Sequence, residues 1–303
     1  MPPRLTAHDF DQELLILFDA YVHGSLDRRG FLERAQRFAK AGVTAAGLLA
    51  ALAPDFARGQ QVRPDDARLQ TQRVDIASPA GHGVLRGYLA RPAKPAKPAK
   101  PAGARLPAVL VVHENRGLSP HIEDICRRLA LEGFLALAPD ALSPMGGYPG
   151  DEDKAREAFA TLDQAKVLQD FLACASWLRS HALGNGKLGV IGFCWGGGIV
   201  HALSTRLPDL DAGVPFYGNV PALPEAARVR APLLVHLAGN DPRINAPWPA
   251  YEAALRAAGV AVTVHSYPGT QHGFNNDTTP RYDAQAAAQA WSRTLAFLQA
   301  RLA

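Results

Sequence analysis

The chain has 303 residues, 48% of them apolar and 20% charged, with a formal net charge of +4. That length suits one large domain with an appendage, and the composition is globular rather than disordered or fibrous. The positive charge is local, because Lys94, Lys97 and Lys100 all fall in "RPAKPAKPAKPAG"; a charged tether of this kind is no basic groove, which argues against nucleic-acid binding.

In chain order, "HDFDQELLILFDAYVHG" carries Phe10, Leu14, Leu17, Phe18 and Tyr21 at helical spacing, predicting an amphipathic helix. The following stretch, residues 25–61, resembles a twin-arginine export signal. Arg28 and Arg29 precede Phe31 and Leu32, an apolar run extends from Ala41 to Ala53, and Ala57 and Gly59 offer small residues for a cut before Gln60. The run is too short to span a bilayer, so no stable membrane insertion is expected. Asp27 and Glu33 depart from the export pattern. Residues 1–60 therefore read equally as an export signal, which would make the protein periplasmic, or as a helical extension packed on a catalytic domain, which would leave it cytoplasmic.

Residues 61–303 read as the catalytic domain. "TQRVDIASP" and "GVLRGYLARP" are two strands joined by the turn "AGHG". Residues 92–103 form a Pro/Ala/Lys loop, in which proline at every third position up to Pro101 prevents sheet pairing. Strand and helix then alternate. "PAVLVVHE" is followed by a helix over 119–132, with Ser119 as N-cap, Pro120 in the first turn and Gly133 as stop. "FLALAPD" precedes a long helical stretch over 151–181, and "KLGVIGF" precedes a helix after Cys194. "AGVPFYG" and "APLLVHLAG" are strands, and 247–258 a helix; "VAVTVHSYPG" is a strand and 281–302 a closing helix. The pattern predicts an α/β fold, a mainly parallel, doubly wound sheet led by an antiparallel hairpin, as in α/β-hydrolases.

Three cysteines without C-x-x-C spacing exclude a disulfide framework and leave no zinc signature. Cys126 and Cys174 lie in apolar helical runs and read as small buried hydrophobes. Cys194 differs. In "GFCWGG" it stands where strand turns into helix, flanked by Gly192 and Gly196. Glycines there permit a turn tight enough to present the side chain at the carboxyl end of the sheet. Unpaired amides and the positive end of the helix dipole favour the thiolate at that position. A nucleophile needs a base, and the base an orienting acid. Asp241 follows one strand in "GNDPRI", and His272 follows the next in "GTQHGF", giving the order nucleophile, acid, histidine. His201 lies on a helix, His236 and His265 lie inside strand runs and His113 ends one, whereas His272 combines a loop position with the right place in that order.

"GFCWGG", "GNDPRI" and "GTQHGF", with "VVHENRGL" upstream, resemble the dienelactone hydrolase family over residues 70 to 300. The resemblance implies attack by Cys194 on a lactone or ester carbonyl, with His272 shuttling the proton and Asp241 fixing its tautomer, through a thioester acyl-enzyme. It implies an oxyanion hole from the backbone N–H groups of Asn115 and Trp195. It also implies that Glu114 contacts the resting thiol, and that Arg156 binds a substrate carboxylate. Where the family has a second arginine, four residues after the histidine, this chain has Asn276. Trp195, Phe216 and Tyr217 are candidate pocket residues, Tyr217 for substrate binding.

A glutamine amidotransferase is disfavoured, since its glutamine would fall where this chain has Gly198 and the one H-x-E, His121-Ile122-Glu123, precedes Cys194 rather than following it. A general carboxylesterase or thioesterase is the alternative within hydrolases, and a non-catalytic binding protein on the same fold is the alternative from another class. The expected partner is a small ester or lactone, with no metal and no cofactor; the sequence specifies no oligomeric state.

Overall fold

The computed structural model describes residues 4–40, 42–94 and 105–303. The chain opens with α1 (Gln12–Val22), α2 (Arg28–Ala35), α3 (Ala45–Leu52) and the single turn α4 (Phe56–Gly59). Each starts at an acidic or hydroxyl cap. Asp11, Asp27, Thr44 and Asp55 accept from the amides of Glu13, Gly30, Gly47 and Arg58, satisfying first-turn N–H groups that lack an intrahelical acceptor. The apolar stripe of α1 (Leu14, Leu15, Phe18 and Tyr21) meets Phe31 of α2 and Leu49 and Leu52 of α3 in a small core of their own. The segment read as an apolar export run is thus largely helix α3, although Ala41 lies outside the described residues. No helix among the described residues is long and apolar enough to cross a membrane.

Strands β1 (Leu69–Ser78) and β2 (Gly83–Pro92) form the antiparallel hairpin; of the proline-rich loop, only residues 92–94 are among those described. Then follow β3 (Leu106–Val112), α5 (Pro120–Leu131), β4 (Leu135–Pro139), α6 (Glu152–Ala160) and α7 (Gln164–Arg179). The second half continues with β5 (Gly184–Phe193), α8 (Trp195–Ser204), β6 (Ala212–Phe216), β7 (Leu233–Asn240), α9 (Pro242–Asn245), α10 (Trp248–Ala257), β8 (Val262–Gln271) and α11 (Ala284–Leu302). The eight strands lie in the order β1-β2-β4-β3-β5-β6-β7-β8. Pairings from β4 to β8 are parallel, while β1–β2 and β2–β4 are antiparallel. The central strands are apolar on both faces because two separate cores cover them, one under α5 and α11 and the other under α7 and α8.

Two local expectations need adjustment. The stretch 151–181 is two helices, because Asp163 leaves the helical region and its side chain caps the amides of Ala165 and Lys166. Ser119 stands at the predicted N-cap position of α5, but its side chain makes no capping bond.

The N-terminal segment joins the sheet domain through buried charge. Asp124 of α5, 1% exposed, accepts from the backbone amides of Val62 at 2.8 Å and Gln61 at 3.0 Å, and pairs with Arg127 and Arg128. Arg128 reaches on to Asp277 and to the carbonyl of Gly59. Removing one partner of such a network leaves uncompensated buried charge. Asp124→Ala is therefore expected to lower unfolding free energy by about 3–5 kcal/mol, read as a fall in the urea midpoint with unchanged slope.

Candidate active site

The turn between β5 and α8 holds Cys194 at φ 57° and ψ −117°, a conformation that a side-chain-bearing residue adopts only under constraint. Close approach supplies the constraint. A Cβ on Gly192 would stand 2.2 Å from the carbonyl oxygen of Gly196, and one on Gly196 would stand 2.4 Å from that of Val112. The Cys194 amide donates to the Phe216 carbonyl at 3.0 Å. The sulfur thus sits at the first turn of α8, where the Trp195 amide has no intrahelical acceptor.

Asp241 leaves the end of β7 and His272 the end of β8, and parallel pairing brings the two strand ends together. His272 Nδ1 lies 2.5 Å from Asp241 Oδ2, with both side chains buried. Among the described residues, His272 Nε2 has no hydrogen-bond partner. The third group at the sulfur comes from outside the sheet domain: His23, at the C-terminal end of α1, places Nε2 3.3 Å from Cys194 Sγ. Its Nδ1 is held by the Asp19 carbonyl at 2.8 Å and carboxylate at 3.2 Å. One nitrogen each of His23 and His272 and the sulfur of Cys194 all lie within 4.8 Å of one another.

Burial alone would push the Cys194 thiol up, but the positive charges of His272 and His23 outweigh it and bring it down to about 6. Burial pulls His272 down, yet the facing thiolate and the Asp241 bond carry it up to about 10. His23 is raised against its own burial by Cys194 and Asp19. Burial pushes Cys126 and Cys174 far above the ordinary thiol value.

Sulfur and His272 open onto a cleft of about 280 Å³. Its floor includes Glu114, Asn115, Arg116, Asn276 and Arg281, while Phe18, Tyr21, Arg28 and Leu49 of the N-terminal helices form the facing wall. The wall is tied down at several points. The Val22 carbonyl accepts from Asn115 Nδ2 at 2.8 Å and Arg116 at 3.2 Å, and Arg28 pairs with Asp153 at 2.6 Å.

Several expected contacts fall elsewhere. The partner of the resting thiol is His23, whereas Glu114 Oε2 accepts from Asn276 Nδ2 at 2.7 Å. Arg156 does not line the cleft; its guanidinium lies over the Tyr21 ring at 4.8 Å. The Trp195 side chain turns away to stack on His113, Phe216 is core, and Tyr217 backs the His272 ring at 4.9 Å without facing the cleft. Aromatic lining comes instead from Phe18 and Tyr21. His23, Asp19 and Arg281 escaped the sequence reading. Asp19 and His23, four apart at a helix end, signal a local pair, but nothing local links them to Cys194.

The fold and its strained turn from strand into helix define an α/β-hydrolase. The model of the dienelactone hydrolase family matches residues 85–302, and a second model, YqhI-like, matches residues 1–40. A Yersinia pestis protein named "Putative carboxymethylenebutenolidase" is 35% identical over 75% of this chain and 89% of its own length. The "Putative hydrolase fragment YghX" of Escherichia coli is 47% identical over 40% of this chain and 97% of its own. The crystal structure of a "Putative Dienelactone Hydrolase" from Klebsiella pneumoniae superposes with a TM-score of 0.66 at 31% identity, over 76% of this chain and 98% of that one. The chain belongs to the dienelactone hydrolase family, and it is a hydrolase.

Thiol reactivity provides a direct check on the electrostatics. At pH 7 iodoacetamide is expected to label Cys194 selectively, with Cys126 and Cys174 reacting only after unfolding. The labelling rate should fall as pH drops through about 6, followed by peptide mass spectrometry.

Proposed function

We propose that the protein hydrolyses small carboxylic esters or lactones by a Cys194–His272–Asp241 relay and a thioester intermediate. The observation that carries this reading is the strained Cys194, within 4.8 Å of a histidine whose other nitrogen is 2.5 Å from a buried carboxylate. The thiolate attacks the carbonyl carbon, and the resulting oxyanion accepts from the backbone N–H groups of Asn115 and Trp195. The C–O bond breaks as the His272 imidazolium donates its Nε2 proton to the leaving alkoxide. Neutral His272 then takes a proton from water, hydroxide attacks the thioester, and the C–S bond breaks to return the thiolate. Asp241 keeps the imidazole in the tautomer that leaves Nε2 free for these transfers. No step in this scheme calls for a metal ion or cofactor.

A substrate bearing a carboxylate is favoured by Arg281 rather than by Arg156. Arg281 is 8% exposed, lines the cleft, and has Nε and an Nη without a hydrogen-bond partner. Among the described residues its only ion-pair partner is Asp19 at 3.6 Å. A buried guanidinium so poorly satisfied suits a bidentate carboxylate. Residues 1–59 belong to the working enzyme in this reading, because they build one wall of the cleft; a cut before Gln60 would remove it. A neutral carboxylesterase or a thioesterase remains the competing specificity.

Rates on a p-nitrophenyl ester, an acyl thioester and an unsaturated lactone carrying a carboxylate separate these specificities; the carboxylate lactone is expected to have the highest kcat/KM. Cys194→Ala should reduce hydrolysis of every substrate by at least about 10³-fold, and retained turnover would overturn the mechanism. The pH profile of kcat/KM should be bell-shaped. The nucleophile is lost below about 6, where the thiolate is protonated, and the acid is lost above about 10, where His272 gives up its proton.

A further inference from the structure

The thiol stands between two Asp–His pairs, and the two imidazoles are placed differently. His272, backed by Asp241, keeps Nε2 buried and unpartnered. His23, backed by Asp19, has Nε2 in contact with the sulfur at 3.3 Å. We propose that His23 is a second catalytic histidine, which holds the proton of Cys194 while His272 serves the oxygen atoms of substrate and water.

This division rests on the hydrolytic role given above to Cys194. When the sulfur carries its proton, the S–H bond donates to His23 Nε2. The proton passes to that nitrogen, leaving thiolate and imidazolium, and the same N–H then points back at the sulfur. When the C–S bond of the thioester breaks, the departing thiolate meets this imidazolium again. His272 is thereby free to protonate the alkoxide and deprotonate water without having to turn back toward the sulfur. The proton count closes over the cycle, since each proton given by either ring returns to it.

The surroundings of His23 fit a proton carrier. Its ring lies at the C-terminal end of α1, where the helix dipole favours the cation, and Asp19 fixes Nδ1 as donor. Arg243, in α9, opposes the charge; one of its terminal nitrogens is 3.1 Å from the same Nε2, and it also bonds Asn219 and faces Asp19. His272 crosses the ring edge-on at 4.8 Å, and Arg281 approaches Asp19 from the cleft side. These opposing charges keep the proton transferable rather than trapped. Glu114, which the family resemblance would set on the thiol, is engaged by Asn276. The sulfur's proton partner therefore comes from the N-terminal segment, which a second family model covers separately.

The test uses the full chain with His23→Asn and, should that variant fold poorly, Asp19→Asn, each checked by thermal melting. The primary readout is the pH dependence of Cys194 alkylation by iodoacetamide, which reports the thiol whether or not any ester is turned over. The midpoint is expected to move at least one pH unit upward, so that labelling below the midpoint slows about tenfold, and kcat should fall in parallel. An unmoved midpoint in a folded variant overturns the proposal and leaves His23 as packing over the site. Cys194→Ala distinguishes the underlying reading: if that variant keeps full hydrolytic activity, Cys194 is not the nucleophile, while alkylation of Cys194 in the parent and His23→Asn proteins still decides whether His23 governs its proton.

Discussion

The site is organised around one electrostatic problem, a sulfur anion held almost out of reach of water. Burial opposes the charge, and only opposing charges at short range can reverse that penalty. The molecule supplies them from three directions: the first turn of α8, His272 from the loop after β8, and His23 from the end of α1. Each in turn depends on a carboxylate or on unpaired amides. The strain in the Cys194 backbone belongs to the same arrangement, since only that sharp turn puts the sulfur over the sheet edge. Gly192 and Gly196 permit it because no other residue fits between the strand, the helix and the Val112 carbonyl.

Seen this way, the N-terminal helices are more than a covering. They bring an apolar wall, with Phe18, Tyr21 and Leu49, to a cleft whose sheet-domain side is mostly polar. They also shield the charges at the sulfur from bulk water, which strengthens them. Anchoring is distributed. Val22 is gripped by Asn115 and Arg116, Arg28 by Asp153, and residues 59–62 by the Asp124–Arg128–Asp277 network. A wall held by so many partly buried polar contacts is a fixed part of the cleft in this conformation. The cleft lies between this wall and the loops after β3 and β4.

The charges along the cleft also explain why specificity cannot be transferred position by position from the family. Asn276, where the family resemblance implies an arginine, turns its amide to Glu114, so that carboxylate is occupied. Arg281, five residues further on, brings a guanidinium into the same cleft from a different backbone position. Arg156, by contrast, is drawn under the Tyr21 ring by the helical wall.

The sequence by itself determined the α/β fold class and put Cys194, Asp241 and His272 at strand ends. Hydrophobic runs bounded by glycine and proline locate strands, glycines at both sides of Cys194 are a local steric requirement, and the order of strand ends follows from parallel connectivity. It also marked residues 8–24 as amphipathic, while leaving the partner of that apolar face open. Tertiary structure alone decided that His23 meets the sulfur and that Arg281, not Arg156, lines the cleft. It alone turned Trp195 and Tyr217 away from the opening. The reason is physical: a periodic pattern specifies which face of an element is buried, but the contact between residues 171 positions apart depends on how the helices dock on the sheet, and no local pattern encodes that docking.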